Sequence, residues 1–524
     1  MERRRKNKKI KSRKRLYQVV GLATILLIGI ASAFIISGQK SQQNVSDKTS
    51  SNKIGETSFY TRSDMNNIPD LISNKKYLAP TIDHDSLKKN LPNARVYDST
   101  TGKTVSMDVW DSWPVTNPDG TVANFHGYRL VVAQTAKNGR NTGSPTKMGM
   151  FLQKDGAKQD DLSTWKFIGY VFNSTAEGVA DNDYDQYFQH SIGEWSGSTI
   201  MMDSKDNTLR IFYANAFKMN GVFGQVLTTA KITLNPADGK KWSSGLVVDH
   251  SKTTDHKTVF SGDGKVYQTA TQGEGKGAHF SDDITLRDPH FVQDGDKYYL
   301  AFEGNTGPAA NYQGKNNFSN QSYYGSESYF KKESERLKSN SNSPEYEKTY
   351  FANGAIGKLE LNKDFTVKKV MQPMVTGNAT NDELERINLF KHDGRWYVFT
   401  STWGFHMATD DEKISKNSYL LGFSSKDGIN GTYKPLNGNG LVIAGQGEGV
   451  NPSSFTYSYL VLPNGNKKNN QFVVTSFEHN STFAPSYLLK INGDKTTMIN
   501  NKVLGQGMLM DNKKYYSAHA QKLS

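Results

Sequence analysis

The chain holds no cysteine among its 524 residues. Disulfides, thiol nucleophiles, redox pairs and Cys-based zinc sites are therefore excluded, and stability must come from core size or bound ions. Histidines are few and dispersed, and no HExxH occurs, which argues against zinc. Two glycine-rich stretches, Gly273–His279 (GEGKGAH) and Gly445–Val450 (GQGEGV), open no helix and precede no Gly-Lys-Ser/Thr, so they read as loops rather than phosphate cradles. Helical periodicity is scarce as well. The best case is Ser328–Lys338 (SYFKKESERLK), with Phe330, Ser334 and Leu337 at helical spacing, and it reads as an insertion on a β scaffold.

Basic charge is also missing where a nucleic-acid surface would need it. The formal charge is +13, but residues 1–15 hold ten Lys or Arg and one Glu, so this tail carries +9 and the rest only +4. No basic stripe interleaved with aromatics occurs outside the tail, so nucleic acid is not expected as a partner. The tail precedes the uncharged run Leu16–Ile36, long enough to span a bilayer at ~20 residues. Positive charge before an apolar run marks the cytoplasmic side. The run reads as a cleaved signal or as an uncleaved transmembrane anchor. Ala31-Ser32-Ala33 resembles a cleavage site, yet Phe34-Ile35-Ile36 continues the apolar run. Both readings place the rest of the chain outside the membrane, secreted or attached to the cell surface.

What is present fits a β-rich, exported globular protein. Aromatics make up 11% and charged residues 22%, far from the disordered class. Residues 1–36 are the basic region with signal or anchor, and 37–57 a polar linker that reads as disordered. Residues 58–510 form the folded domain, and 511–524 are a tail. Short strand-like runs such as Gly127–Thr135, Met148–Lys154 and Trp165–Phe172 alternate with turns. A weak repeat stands above them: an apolar strand, a polar turn, then an aromatic and aliphatic strand. Its copies are Thr199–Asn215, His290–Asn305, Ile387–Thr402 and, more loosely, Tyr459–Phe477, each a hairpin closed by a turn such as Asp-Gly. Hairpins recurring every 70–100 residues suit propeller blades carrying insertions, with a β-sandwich as the alternative.

Three acidic motifs flank these strands: Asp111 in VWDSWPV, Asp288 in TLRDPHF and Glu385 in DELERINLF. Asp288 and Glu385 both stand at the entry to a repeat copy, so the same place in two blades is expected for them. Glycosidic cleavage needs one carboxylic acid to protonate the leaving oxygen and a second carboxylate that attacks or positions water. Crowding by Glu383, Asp111 and Asp288 with partial burial would keep the acid protonated near neutral pH. Arg287 and Arg386, beside two of these acids, are placed to orient them and to bind hydroxyls. Singly, each motif also reads as a turn residue, an ion pair or a solvated helix face.

Together with TVANFHGYRLV, EWSGS, FEGNTG, ANGAIG and FTYSYLVLP, these motifs resemble the levansucrase/inulosucrase family of bacterial fructosyltransferases (glycoside hydrolase family 68). The likeness runs in order from about residue 58 to about 510. It implies an all-β five-bladed β-propeller with a few helical insertions, which takes sucrose, releases glucose and passes fructosyl to sugar, growing fructan or water. By motif, Asp111 corresponds to the nucleophile, Glu385 to the general acid and base, and Asp288 to the carboxylate that stabilises the transition state. Trp110 and Trp195 would wall the pocket, with Trp113 packing behind. Ser196, Arg287, Glu303, Glu383 and Tyr457 match substrate-binding or orienting positions. Trp403 stands where many relatives carry Arg or His, with His406 nearby, and implies an aromatic acceptor subsite. The resemblance further implies a structural calcium ion held by Asp282, Gln313, Asn353, Asp382 and the carbonyl of Phe351, a hard-oxygen set. Levan is the expected product and a monomer the expected state. Inulin-type products, mainly hydrolysis, a propeller hydrolase for other glycans and a non-catalytic carbohydrate-binding propeller are the rivals.

Overall fold

The structure, a computed structural model, describes residues 56–73, 75–80, 82, 86–137, 145–273, 286–445, 456–464, 470–478 and 482–511. All belong to one unit, Lys53–Ser524. The expected signal or anchor at 16–36, the linker up to residue 55, Asp282, and most of both glycine-rich loops lie outside the described residues. Among the described residues no helix is long and apolar enough to cross a membrane.

The described chain is mostly β and forms four sheets, the largest of which joins two antiparallel groups by a parallel pairing of Val115–Thr116 with Thr199–Ile200, so that five antiparallel groups follow one another along the chain. The first holds Lys103–Thr116, Tyr128–Lys137, Lys147–Lys154 and Lys166–Tyr170, each paired with the next. The second holds Ser191–Ile200, Thr208–Met219 and Val222–Pro236, flanked by Leu246–Val248 and Thr254–Phe260. The third runs Leu286–Asp294, Lys297–Asn305 and Gly354–Leu361, with Val367–Val370 and Val375–Thr376 beyond. The fourth runs Glu385–His392, Arg395–Trp403 and Ser418–Ser425, with two short outer strands. The fifth runs Thr456–Pro463, Gln471–Glu478, Pro485–Asn492 and Lys495–Gln506. Four of the hairpins read from the sequence appear as the opening hairpins of groups two to five.

Turn chemistry explains the hairpins. Asp393 and Gly394 (φ 47° and 75°), and Asn220 and Gly221 (φ 53° and 87°), supply the two positive dihedrals of a tight primed turn. Strand residues face alternately into two different cores. In group four, Leu389 and Val398 join a cluster with Val292, Tyr299 and Ile356 of group three. Their neighbours Phe390, Tyr397 and Phe399 join Val461, Phe472 and Val474 of group five. Both faces are thus buried, so these strands read as continuous apolar runs rather than as alternation. Each such side chain contributes roughly 1.5–3 kcal/mol by leaving water.

The lead strand of each group touches the lead strand of the next, and that of group five touches that of group one. Side chains tie these neighbours together. Trp113 Nε1 donates to Thr199 Oγ1 at 2.9 Å, Phe291 N to Ser198 Oγ at 3.2 Å, and Val461 N to Asn388 Oδ1 at 2.7 Å.

The expected helix is present as Glu327–Ser339, capped by Ser326 Oγ accepting from Tyr329 N, between the second and third strands of group three. A second helix, Pro344–Phe351, follows, capped by Ser343 with proline in its first turn.

Candidate active site

The five lead strands share one irregularity. Trp110 pairs with Gln134, but three residues on, Trp113 pairs with Val132, only two back. The same offset separates Glu194 from Gly197, Arg287 from His290, Glu385 from Asn388 and Tyr457 from Leu460. Each lead strand therefore carries a bulge of one extra residue, a device that re-aims side chains. The second bulge residue has positive φ in four groups: Asp111 34°, Asp288 51°, Arg386 55° and Ser458 62°. Such a conformation costs about 1–3 kcal/mol per non-glycine residue and persists only where its surroundings fix it.

This register corrects one expectation. Asp288 and Glu385 do not share a place in their groups. Asp288 shares its bulge position with Asp111, whereas Glu385 stands one residue earlier, level with Trp110, Arg287 and Tyr457. Glu carries one more methylene than Asp, so it projects further from that earlier position.

Arg287 is the electrostatic centre. Its Nε and Nη2 fork onto Glu303 at 2.7 and 3.2 Å, and Nη2 also meets Glu385 Oε1 at 3.0 Å and bonds Glu383 Oε2. Burial alone would discharge this arginine, but Glu303, Glu383 and Glu385 overcome that and hold it firmly charged. A single guanidinium cannot neutralise several buried acids, so a proton must stay on one of them. Burial raises Glu303 and pushes Glu385 up to about 8, with Glu383 and Asp288 adding to the effect on Glu385 against Arg287 and Tyr457. The two-pronged bond from Arg287 favours the charged form of Glu303, while its burial opposes it. Glu385, with 16% of its side chain exposed, keeps the proton and faces outward. Tyr457 donates its hydroxyl to Glu385 Oε2.

Asp288, 4% exposed, accepts from Ser196 Oγ on one oxygen and from Arg386 N at 2.6 Å on the other. Asp111 has Gln134 Nε2 at 3.5 Å from its Oδ2. Nothing in the sequence singled out Gln134; only the pairing of its strand brings it there. Trp110, Tyr457 and Phe477 pack together with half-buried Trp403 against them. Trp403 stacks on Tyr457 (centroids 3.9 Å apart, 25°) and lies near-parallel to Phe405 (5.7 Å, 15°), which is 46% exposed. Trp195 is half-buried and leans on Phe223. His406 Nδ1 lies 3.2 Å from Glu383 Oε1. Arg386 departs from the hydroxyl-binding expectation: it is 3% exposed and turns inward.

Of the expected calcium ligands inside the described residues, Asn353 and Asp382 meet. Asn305 Nδ2 donates to Asn353 Oδ1 at 3.0 Å and to Asp382 Oδ1 at 3.3 Å, and Asn353 N to the same Asp382 oxygen at 3.2 Å. Gly314 N, next to Gln313, donates to the carbonyl of Tyr350, next to Phe351, at 2.7 Å. Among the described residues no group of three or more His, Cys, Asp or Glu stands ready for a metal. One carboxylate among neutral amide and carbonyl oxygens fits a hard cation and not a soft one.

Three acids around one buried arginine, two more on bulged lead strands and aromatic rings alongside fit a carbohydrate-active enzyme of glycosidase type. The sequence matches the family described as Levansucrase/Invertase over residues 49–510. The chain belongs to that family. The levansucrase of Bacillus subtilis (strain 168) is 38% identical over 466 residues, covering 87% of this chain and 91% of the relative. A protein of Geobacillus stearothermophilus named inactive levansucrase is equally similar, 38% over 465 residues, covering 87% and 91%. A crystal structure of a Bacillus subtilis levansucrase variant in complex with oligosaccharides superposes with a TM-score of 0.76 at 37% identity, covering 88% of this chain and 98% of that one.

Proposed function

We propose that this chain cleaves sucrose, releases glucose and transfers the fructosyl unit to a growing fructan or to water by double displacement. Asp111 attacks the anomeric carbon of the fructosyl unit. The bond from that carbon to the glucosyl oxygen breaks, its electron pair stays on the oxygen, and Glu385 delivers the proton. Glu385, now a carboxylate, takes the proton of an acceptor hydroxyl or water. That oxygen attacks the same carbon and the ester to Asp111 breaks. Asp288 holds fructosyl hydroxyls and faces the positive charge that develops between the two steps. Glu383, Glu303 and Arg287 set the protonation of Glu385; Trp110, Trp195 and Ser196 bound the sugar site, and Tyr457 with Trp403 the acceptor side.

The observation that carries this reading is the linkage of the three acids through equivalent bulges. Asp288 accepts from the peptide N–H after Glu385, and the side chain of Arg386 donates to the carbonyl of Ser112, the residue after Asp111. Membership of a family that includes an inactive relative would not carry it alone. The five groups, whose lead strands touch in cyclic order and whose cores lie between neighbours, support a five-bladed propeller spanning 58–510. Levan is the proposed product, since the named relatives are levansucrases, and sugar oligomers are the proposed acceptors.

A calcium ion would be held by Asp382, Asn353, Gln313 and the Phe351 carbonyl, with Asp282 joining from outside the described residues. Bound there it would stiffen the loop that leads, three residues later, to Glu385. Export, with residues 16–36 as signal or anchor, and a monomeric state are part of the same proposal.

Incubating the purified chain with sucrose, measuring glucose against free fructose and determining product linkage by NMR tests the reading. Glucose in excess of fructose, with levan linkages, is expected. Asp111→Asn should lose at least ~10³-fold in rate, the scale on which loss of a nucleophile is felt, with its circular dichroism unchanged. Full turnover in that variant, or no glucose from the wild-type chain, refutes the scheme.

A further inference from the structure

We propose that Arg386 is a positioning residue that fixes the spacing of Asp111, Asp288 and Glu385. The inference rests on reading the site as sucrose-cleaving. Arg386 occupies the second bulge position of group four, where groups one and three carry Asp111 and Asp288. Its φ of 55° turns its peptide N–H onto Asp288 Oδ2 at 2.6 Å. Its Nη2 donates to the carbonyl of Ser112, the residue after Asp111, at 2.9 Å. Its Nη1 lies 4.0 Å from Asp288 Oδ1, and the guanidinium sits over the Trp113 ring at 5.7 Å. It is bonded covalently to Glu385. One residue thereby ties the backbone at the proposed nucleophile, the carboxylate of Asp288 and the chain carrying the proposed acid.

Stability alone accounts poorly for this arrangement. A buried guanidinium loses its hydration, and such pairs often contribute little or nothing net to folding. Arg386 Nε donates to no acceptor among the described residues. What the side chain does secure is geometry. A retaining displacement needs its two carboxyl groups ~5–5.5 Å apart, and a misplacement of about 1 Å costs on the order of 10²-fold in rate. Arg386 does not touch the carboxyl of Glu385, which belongs to Arg287 and Tyr457, so its role is distinct from setting the acid's protonation.

The test compares Arg386→Lys, which keeps the charge on a single nitrogen, with Arg386→Gln, which removes it. Glucose release from sucrose is measured per folded molecule across substrate concentration and pH. Expected is a kcat roughly 10-fold lower for Lys and roughly 100-fold lower for Gln. KM should stay within about threefold, because the side chain is buried from substrate. The basic limb of the pH profile should stay in place, and millimolar guanidinium should restore part of the kcat of Arg386→Ala. Wild-type kcat per folded molecule in the Lys and Gln variants overturns the proposal, whatever happens to their Tm. Should the Gln variant fail to fold, full kcat in the Lys variant overturns it alone. A wild-type chain that releases no glucose refutes the sucrose reading itself, and the inference falls with it.

Discussion

Replacing Glu383 by glutamine removes one charge from the acid cluster and leaves its shape intact. Glu383 accepts from Nη2 of Arg287 and Glu385 Oε1 lies 3.0 Å from the same nitrogen, so their carboxyl groups are close neighbours. Two like charges about 5 Å apart repel by roughly 3 kcal/mol at an effective dielectric of 20. At 1.36 kcal/mol per pKa unit this is a ceiling of about two units, and Arg287 between them reduces it to about one. The sign follows from the charge. The Glu383 anion disfavours a second anion and so raises Glu385; its removal lowers Glu385. Arg287, released from one of its carboxylates, pulls the same way. Glu385 starts at about 8, so at pH 7 its protonated fraction should fall from about nine-tenths to about one-half. The assay is kcat/KM for glucose release across pH 5 to 9, which reports groups of the free enzyme; sucrose does not titrate in this range. The basic limb should move about one unit toward acid. The single amide oxygen introduced by Glu383→Gln can accept from His406 or from Arg287 but not from both, so one of these two bonds is lost with the charge. A limb that stays in place, or moves toward base, refutes the assignment of Glu385 as the proton donor governed by this cluster.

Trp403→Ala removes the ring stacked on Tyr457 and should shift both product distribution and the ratio of hydrolysis to transfer; the same products and the same ratio would show that Trp403 does not shape the acceptor subsite. Chelation should lower the Tm by several degrees, since an ion at about 100 times its Kd adds roughly 2.7 kcal/mol, and Asp382→Asn should abolish that sensitivity; a Tm indifferent to chelator removes calcium from the account. Gly197→Ala should cost on the order of 2–3 kcal/mol in urea unfolding, because a Cβ there would meet the Phe212 carbonyl oxygen at 1.9 Å. Unfolding within 0.5 kcal/mol of wild type, at the ~0.5 kcal/mol level of neutral surface changes, would contradict the tight strand pairing at that bulge.

Much of the fold could be read from local signals. Turn pairs such as Asp393-Gly394 act over two residues, and they marked the hairpins correctly. The helix Glu327–Ser339 was visible because its spacing and cap lie within one short segment. Pro344–Phe351 has a local start signal of the same kind in Ser343-Pro344-Glu345, but at eight residues it is too short for its periodicity to stand out. The acids Asp111, Asp288 and Glu385 were legible through their motifs. Their partners were legible only in part: Gln134 comes near Asp111 through strand pairing, and pairing partners are not written in the strand that uses them.

The bulges were illegible for a different reason, and the same reason explains why they make a site. Strand reading depends on strict alternation, and one extra residue reverses which face every later side chain takes. In each lead strand the pattern therefore breaks at the bulge, where four of the five groups carry the residues of the candidate site. The break is also the means of bringing them together. The first bulge position holds a long side chain in all five groups: Trp110, Glu194, Arg287, Glu385 and Tyr457. Four of these contribute to the acid cluster or to the rings beside it. Glu194 instead accepts from Met148 N between groups one and two, and burial pushes it up to about 7. The second position holds Asp111, Trp195, Asp288, Arg386 and Ser458. One backbone device, repeated five times and filled with different residues, thus presents acid, cation and aromatic at equivalent places. A search for repeated residues misses it because what recurs is the irregularity of the backbone rather than the identity of any side chain.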